Sequence, residues 1–396
     1  MTARPLKVLF VHSSSEMYGS DRCLYELVRG IDKKRFVPIV VLPSGGALSG
    51  MLRDMGIAVY LTDPWVMRKG TFRSARLAPY MLKLPVSVLR LMRIIARESV
   101  SIVYSNTSVM IGPALAAYIM RRPHICHIRE LYEGYPGLSR LYGPFLCASS
   151  KRIIAISNAA ASLVDGRCRK KVEVVYDGIA LDRFIDAPRR VPDIVSEWRR
   201  QGRIIVSDIG RISPIKGQEL FIESARECMR HDRGLRFLIV GDVFKGNEQF
   251  LMRLRDTVRR YDLQDIVLFT GFVQDVDDFI ASSDIIVLST LIPEGLGQIV
   301  MEGMAAGRVV IAPDKGGPTE LIRNGTDGIL YMAGDRDSLT KAIMDTAADP
   351  VSRKAIGEQA RHTAERRFGV QKNIAAVEKE IADAADQNGD RGAGSA

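Results

Sequence analysis

The chain has few cysteines and no pairing pattern among them. Cys23, Cys126, Cys147, Cys168 and Cys228 are scattered along 396 residues without metal-ligand spacing. Neither a zinc site nor a disulfide framework is expected; reduced, buried thiols in a cytoplasmic protein are. No uninterrupted apolar run is long enough to cross a bilayer, and the run Val8 to Val11 behind Arg4 and Lys7 is too short for a signal peptide. The expectation is a cytoplasmic chain, free or peripheral at the inner face of a membrane. The loop SSSEMYGSD after the first apolar run holds one glycine, Gly19, and lacks the three spaced glycines of a dinucleotide fingerprint, so no dehydrogenase is expected.

Acidic residues are missing between Asp63 and Glu98, whereas Arg68, Lys69, Arg73, Arg76, Lys83, Arg90, Arg93 and Arg97 are basic. Interleaved aromatics and aliphatics, among them Trp65, Phe72, Tyr80, Leu82, Val86 and Leu89, leave two readings open. The segment lies in an anionic membrane interface, each basic residue near the surface contributing about 1 kcal/mol, or it is a solvated helix face with its apolar side in a core. The unbroken lack of acids favours the membrane, which suits a lipid-linked acceptor. No nucleic-acid-binding motif accompanies the charge, and no nucleic acid partner is expected.

What is present points to two domains. With 46% hydrophobic residues, a chain of this length buries two ordinary cores, and a net charge of +10 suits anionic partners such as nucleotide diphosphates or acidic lipids. Strands are predicted at Lys7 to His12, Val37 to Leu42, Val59 to Leu61, Ile102 to Ser105, Ile125 to Arg129, Arg152 to Ile156 and Val172 to Val175. The alternation restarts at Ile204 to Ile209, Leu238 to Asp242, Val267 to Phe272, Ile285 to Leu288 and Val309 to Ala312. Helical stretches lie between, which argues for doubly wound parallel sheets with ligands beyond the carboxyl ends of the strands. Between the halves, Ala187 to Gly202 is proline-rich and basic, as a connecting segment should be. The last helices run from about Ser338 to Ala385, with a break at Phe368 and Gly369.

The stretch from Ile285 to Leu330 carries the chemistry. A charge-free β-branched strand leads into a loop punctuated by Pro293, Gly295 and Gly297, and then into a helix over Gln298 to Ala306. Backbone NH groups of Leu296, Gly297 and Gln298 fall at the helix start, where unsatisfied donors and the helix dipole favour an anion such as phosphate. Glu294 beside that anion is placed to accept from sugar hydroxyls, and Glu302, two turns deeper, from a ribose. In GRISPIKG, the glycine-containing loop from Gly210 to Gly217 holds Arg211 and Lys216, two cations able to neutralise a diphosphate as it leaves.

These residues resemble the nucleotide-sugar site of the family 4 retaining glycosyltransferases, also described as glycosyl transferases group 1. The match includes Glu294, Gly295, Gly297, Glu302, Met304, Ala305, Gly307, Gly316, Gly317 and Glu320, with Leu296, Gln298 and Gly303 departing from that family's usual Phe, aliphatic residue and Ala. The resemblance implies an α/β chain of two Rossmann-like doubly wound domains facing a cleft, the GT-B architecture. It implies an acceptor-binding domain over 1–180, closed by a turn at Asp177 and Gly178, and a nucleotide-sugar domain over 181–369. A helix at about 370–386 would return to the first domain, and 387–396, rich in Gly, Asp and Ala, reads as a disordered tail.

The resemblance also implies roles. Arg211 and Lys216 match the family's diphosphate site. His127, in RPHICHIRE ahead of Glu130, takes the histidine's contact with the donor sugar. Gly19 faces the cleft near donor phosphate and acceptor, and the backbone at Phe272 and Val273 receives the base. Gly316 and Gly317 are placed to approach the sugar.

The function expected is therefore transfer of a sugar, with retention, from a nucleotide diphosphate sugar to a hydroxyl acceptor, a saccharide or lipid-linked precursor. Glu294, His127, Arg211 and Lys216 carry it. No cofactor is expected beyond the donor, and no metal, since the basic groups take its place and no Asp-x-Asp motif accompanies them. The rivals are a nucleotide-sugar epimerase or hydrolase of the same fold, and a noncatalytic basic module binding membrane or nucleic acid.

Overall fold

A computed structural model describes residues 4–67, 80–131, 136–164, 166–184, 190–244 and 246–386. The chain divides into two units, one of Met1–Gly178 with Val370–Ala396 and the other of Ile179–Gly369.

Unit 1 is built on β1 (Leu6–Val11), β2 (Phe36–Leu42), β3 (Ala58–Leu61), β4 (Ile102–Ser105), β5 (His124–Ile128), β6 (Arg152–Ala155) and β7 (Val172–Val174). They form one sheet in the order β3-β2-β1-β4-β5-β6-β7, with every pairing parallel. Runs such as VLFV in β1 are buried on both faces because helices cover both. On one face Phe10, Leu24, Tyr104 and Ile125 share a core with Ile374, Val377 and Ile381 of the helix Val370–Asp386. Buried Glu380 of that helix accepts two hydrogen bonds from Arg152, at 2.6 and 3.0 Å. Gly178 lets the helix start come close, since a Cβ there would lie 2.6 Å from Val370 Cα.

Unit 2 is built on β8 (Ile204–Ile209), β9 (Leu235–Val240), β10 (Val267–Gly271), β11 (Ile285–Val287), β12 (Val309–Pro313) and β13 (Ile329–Tyr331). The order is β10-β9-β8-β11-β12-β13, again all parallel. In each sheet the chain winds outward on one side of its first strand, then returns to the other side. The reversal lies between β1 and β4 in unit 1 and between β8 and β11 in unit 2. Ligands of open parallel sheets bind at such switch points.

The structure departs from the sequence reading in several places. Cys147 and Cys168, expected as reduced thiols, form a disulfide with a Cα separation of 5.7 Å. Their separation of 21 residues carries no motif; the turn Gly166–Lys171 is held to the end of the helix Pro136–Ser149 by Lys171 Nζ, which donates to Cys147 O at 2.7 Å. The connector read over Ala187 to Gly202 contains a helix, Asp193–Arg200, whose Val195 and Trp198 are buried. The last helices break at Phe368 and Gly369 as expected, and also at Asp349, whose side chain accepts from Val351 N and Ser352 N and starts a new helix at Pro350. β13 was not anticipated, being only three residues long.

In the basic segment, Arg68, Lys69, Phe72, Arg73 and Arg76 lie outside the described residues, as does the tail 387–396. The helix Lys83–Glu98 buries Val88, Leu91, Ile94 and Ile95, so the core-facing reading holds for that side. Leu82, Val86 and Leu89 are nonetheless exposed, alongside exposed Lys83, Arg90, Arg93 and Arg97. Trp65 is buried.

Thiol titration of the unfolded, unreduced protein is expected to find the three cysteines outside the disulfide, Cys23, Cys126 and Cys228. Reduction should lower stability by about 3 kcal/mol, the chain-entropy value for a loop of this size. Five titratable thiols would contradict the pairing.

Candidate active site

The switch point of unit 2 is closed by backbone contacts between two loops, one after β8 and one after β11. Leu291 N donates to Ile215 O at 3.0 Å, Thr290 Oγ1 to Ile215 O at 3.1 Å, and Ser289 Oγ lies 2.8 Å from Lys216 O. Gly217 allows this approach. Its φ is +75°, and a Cβ would lie 1.9 Å from Ser289 O. The loops so joined place Lys216 Nζ in a charged hydrogen bond to Glu294 Oε1.

Glu294 is itself braced from behind. Gly317 N donates to Glu294 O at 2.9 Å, and a Cβ on Gly317 would lie 2.4 Å from Leu296 Cα and 2.6 Å from Gly295 O. Gly316 and Gly317, expected to approach a sugar, thus pack against the backbone of Glu294, Gly295 and Leu296. The helix Gln298–Ala305 begins at Gly297, φ +89°, with no side-chain cap, while Leu296 is buried. Gly303 sits where an Ala Cβ would meet Val310 Cγ2 at 2.7 Å, a packing reason for glycine there.

Glu302 is 6% exposed and accepts from Gln298 Nε2 at 3.2 Å. Arg183 NH1 stands 3.9 Å from its carboxylate, and Arg183 Nε donates to Asp277 Oδ2 at 2.8 Å. Burial opposes the Arg183 charge, but Glu302 and Asp277 outweigh it and raise its pKa. Arg183 therefore fixes the carboxylate assigned to the ribose. Arg211, in the loop opened by Gly210, stacks its guanidinium 4.3 Å from the Phe244 ring centroid. Phe272, just past β10, is 62% exposed, and Val273 beside it is half-buried.

At the end of β8, Asp208 is 4% exposed and accepts a hydrogen bond from Ser289 Oγ. Burial pushes its carboxyl up to about 7, against the Ser289 bond and the charge of Lys216, which lower it, while Glu294 adds to the rise.

Unit 1 holds the remaining expected residues. His127 in β5 is 2% exposed, with Nδ1 2.8 Å from Tyr104 Oη. Its Nε2 is buried without a hydrogen-bond partner among the described residues. Burial, with Arg129 adding to it, holds the ring's pKa well below the usual histidine range, so it is neutral. Arg129 pairs with Asp177 and ties β5 to the turn at Asp177 and Gly178. Glu130 accepts from Ser108 N at 3.1 Å and Ser108 Oγ at 2.6 Å, clamping the loop after β4. Gly19 opens the helix Gly19–Gly30. Near it, at this unit's switch point, His12 Nε2 lies 2.8 Å from Asp21 Oδ1, and His12 Nδ1 lies 3.1 Å from Asn106 Nδ2.

Two family models match the chain in sequence. "Glycosyltransferase Family 4" covers residues 17–183, and "Glycosyl transferases group 1" covers residues 193–363. The chain belongs to this glycosyltransferase family. Among curated relatives, the glycosyltransferase is 28% identical over 236 residues to the lipopolysaccharide core biosynthesis mannosyltransferase LpcC of Rhizobium leguminosarum bv. viciae, covering 60% of this chain and 65% of LpcC. It is 30% identical over 186 residues to the alpha-D-kanosaminyltransferase of Streptomyces kanamyceticus, covering 46% and 47% of the two chains. The glycosyltransferase thus spans less than two thirds of the length of either relative.

Among solved structures, Anabaena Alr3699/HepE in complex with UDP superposes with a TM-score of 0.79 at 23% identity, over 96% of this chain and 100% of that one. The lipopolysaccharide outer core galactosyltransferase WaaB superposes with a TM-score of 0.67 at 15% identity, over 97% and 100%. These likenesses establish that the glycosyltransferase has the GT-B fold.

The sequence reading missed Arg183, Asp277, Asp208 and Ser289. Asp208 left a signal, an acid inside the otherwise buried-strand pattern IIVSDI. Arg183 left none, because its partners are far along the chain. Gly217→Ala is expected to destabilise the protein by several kcal/mol, since the added Cβ meets backbone and the φ is left-handed. Thermal unfolding checks this, and an unchanged Tm would contradict the close approach of the two loops.

Proposed function

We propose that this glycosyltransferase moves a sugar from a nucleotide diphosphate sugar to a hydroxyl acceptor with retention at the anomeric carbon. The observation that carries the reading is the Lys216–Glu294 pair at the β8/β11 switch point, beside the uncapped start of the helix Gln298–Ala305. A diphosphate there meets Lys216, Arg211 and the amides of Leu296, Gly297 and Gln298, which stabilise the charge that develops on the leaving group. These groups fill the part that a divalent metal otherwise takes, and the reading includes none.

Glu294 orients Lys216 and offers its second oxygen to the sugar hydroxyls. Glu302, held by Arg183 and Gln298, accepts from the ribose, and the backbone at Phe272 and Val273 meets the base. His127, with its neutral ring, keeps the histidine role that the family resemblance implies. In the transfer, the acceptor oxygen bonds to the anomeric carbon on the face that the phosphate oxygen leaves. The acceptor proton passes to that phosphate oxygen, so no protein acid is required.

Two relatives support a nucleotide-linked donor and a saccharide or lipid-linked acceptor. The structural neighbour HepE binds UDP and UDP-glucose, and LpcC is a lipopolysaccharide core mannosyltransferase. The exposed Leu82, Val86 and Leu89 beside Lys83, Arg90 and Arg93 support docking at an anionic membrane surface, where a lipid-linked acceptor resides.

A panel of UDP- and GDP-sugars tests the reading through protection against thermal unfolding, with one donor expected to raise Tm well above the others. Arg211→Ala and Lys216→Ala should each weaken nucleoside diphosphate binding by about 1.5 to 3 kcal/mol, roughly 10- to 150-fold, as measured by calorimetry. Unchanged affinity in both variants would contradict the diphosphate site. Release of free sugar or an epimer without acceptor would point to hydrolysis or epimerisation instead of transfer.

A further inference from the structure

We propose that Asp208 is the proton-linked residue of the diphosphate site, taking up a proton when a nucleoside diphosphate binds. The inference deepens the function proposed above and rests on it. Ser289 Oγ stands between two partners, donating to Asp208 Oδ2 and lying 2.8 Å from Lys216 O. Asp208 is thereby one hydroxyl away from the turn that carries Lys216. Among the described residues, Ser289 supplies the one hydrogen bond to this buried carboxyl, although an ionised carboxylate accepts about four. A fully buried acid so poorly supplied is costly to ionise and is a candidate for a functional role.

The groups that face it are few: Lys216 after β8, Glu294 and Ser289 after β11, and Tyr331 in β13. Lys216 is the one cation among them, and it is already paired with Glu294. A diphosphate placed on Lys216 adds negative charge beside two carboxylates in a poorly solvated corner. Protonation of Asp208 removes one of those charges at the least cost, because burial already pushes its carboxyl toward the neutral form. The sign follows directly. Anion binding favours the protonated form, so intrinsic affinity is greatest below pH 7 and falls as pH rises through Asp208's titration. The ligand's own titration runs the other way, and comparison with an uncharged variant cancels it.

Calorimetric titration of the full chain with UDP and with GDP, in two buffers of different ionisation enthalpy, reads the proton count. At pH 7 the wild type should take up about half a proton more than Asp208→Asn, and at pH 8 its affinity should be about three- to tenfold weaker than that variant's. Ser289→Ala keeps the carboxyl but removes the bond that favours its ionised form. It should retain the uptake and move its midpoint to higher pH, which tests the inference even if Asp208→Asn does not fold. Binding with equal proton uptake in wild type and Asp208→Asn, or a Ser289→Ala profile identical to wild type across pH 6 to 9, overturns the inference alone. Failure of every form to bind either nucleotide overturns the donor-site reading and the inference with it.

Discussion

Lys216 meets Glu294 only because two loops that leave neighbouring parallel strands are pressed together at their backbones. β8 and β11 are adjacent in the sheet but distant in sequence, and the chain turns opposite ways on leaving them. The space between is where a parallel sheet presents helix starts and loop amides without side chains to fill it. Glycine decides how closely the loops approach. Gly217 lies under Ser289 O and Gly317 under the backbone of Glu294 to Leu296, so both sides of the pair are fixed by residues that have no side chain. The chemistry attributed to this family needs donors that are in place before charge develops, and a loop pinned by backbone contacts supplies them without reorganisation.

Carboxylates dominate the immediate surroundings in a manner that the net charge of +10 conceals. Arg183 is shared by Asp277 and Glu302, and Lys216 is bonded to Glu294 with Asp208 nearby. These two cations are thereby oriented by acids, and their charge is largely matched before any anion arrives, whereas Arg211 stacks on Phe244. An incoming diphosphate must therefore compete with those acids or alter their protonation. Asp208, set apart from water and held by one hydroxyl, is the acid most easily altered. In unit 1 the corresponding switch point is lined differently, by the buried network of His12, Asp21 and Asn106.

Much of this architecture was legible in the sequence, because buried parallel strands are β-branched runs and their helices alternate with them at regular length. The strand at Ile102–Ser105 and that at Ile204–Ile209 stand where the pattern put them. The loop with Pro293, Gly295 and Gly297 announced itself by punctuation. Three kinds of feature were not legible. Ile329–Tyr331 is too short to carry a period, and Asp349 starts a helix inside what reads as one continuous helical stretch. Cys147 and Cys168 are paired by tertiary packing, which spacing does not encode. Arg183 and Ser289 act on the site through bonds that close over long stretches of chain, so nothing local marks them. Gly316 and Gly317 were marked, but their glycine character serves loop packing.

The central claim is that the loops after β8 and β11 together hold the diphosphate of a nucleotide sugar. Hydrogen exchange of the full chain, with and without saturating UDP-glucose or GDP-mannose, measures this most directly. The account predicts that the donor that binds slows exchange at residues 210–217 and 294–300 together, since the anion occupies both loops at once. Binding accompanied by protection elsewhere, with these two segments unchanged, would contradict it.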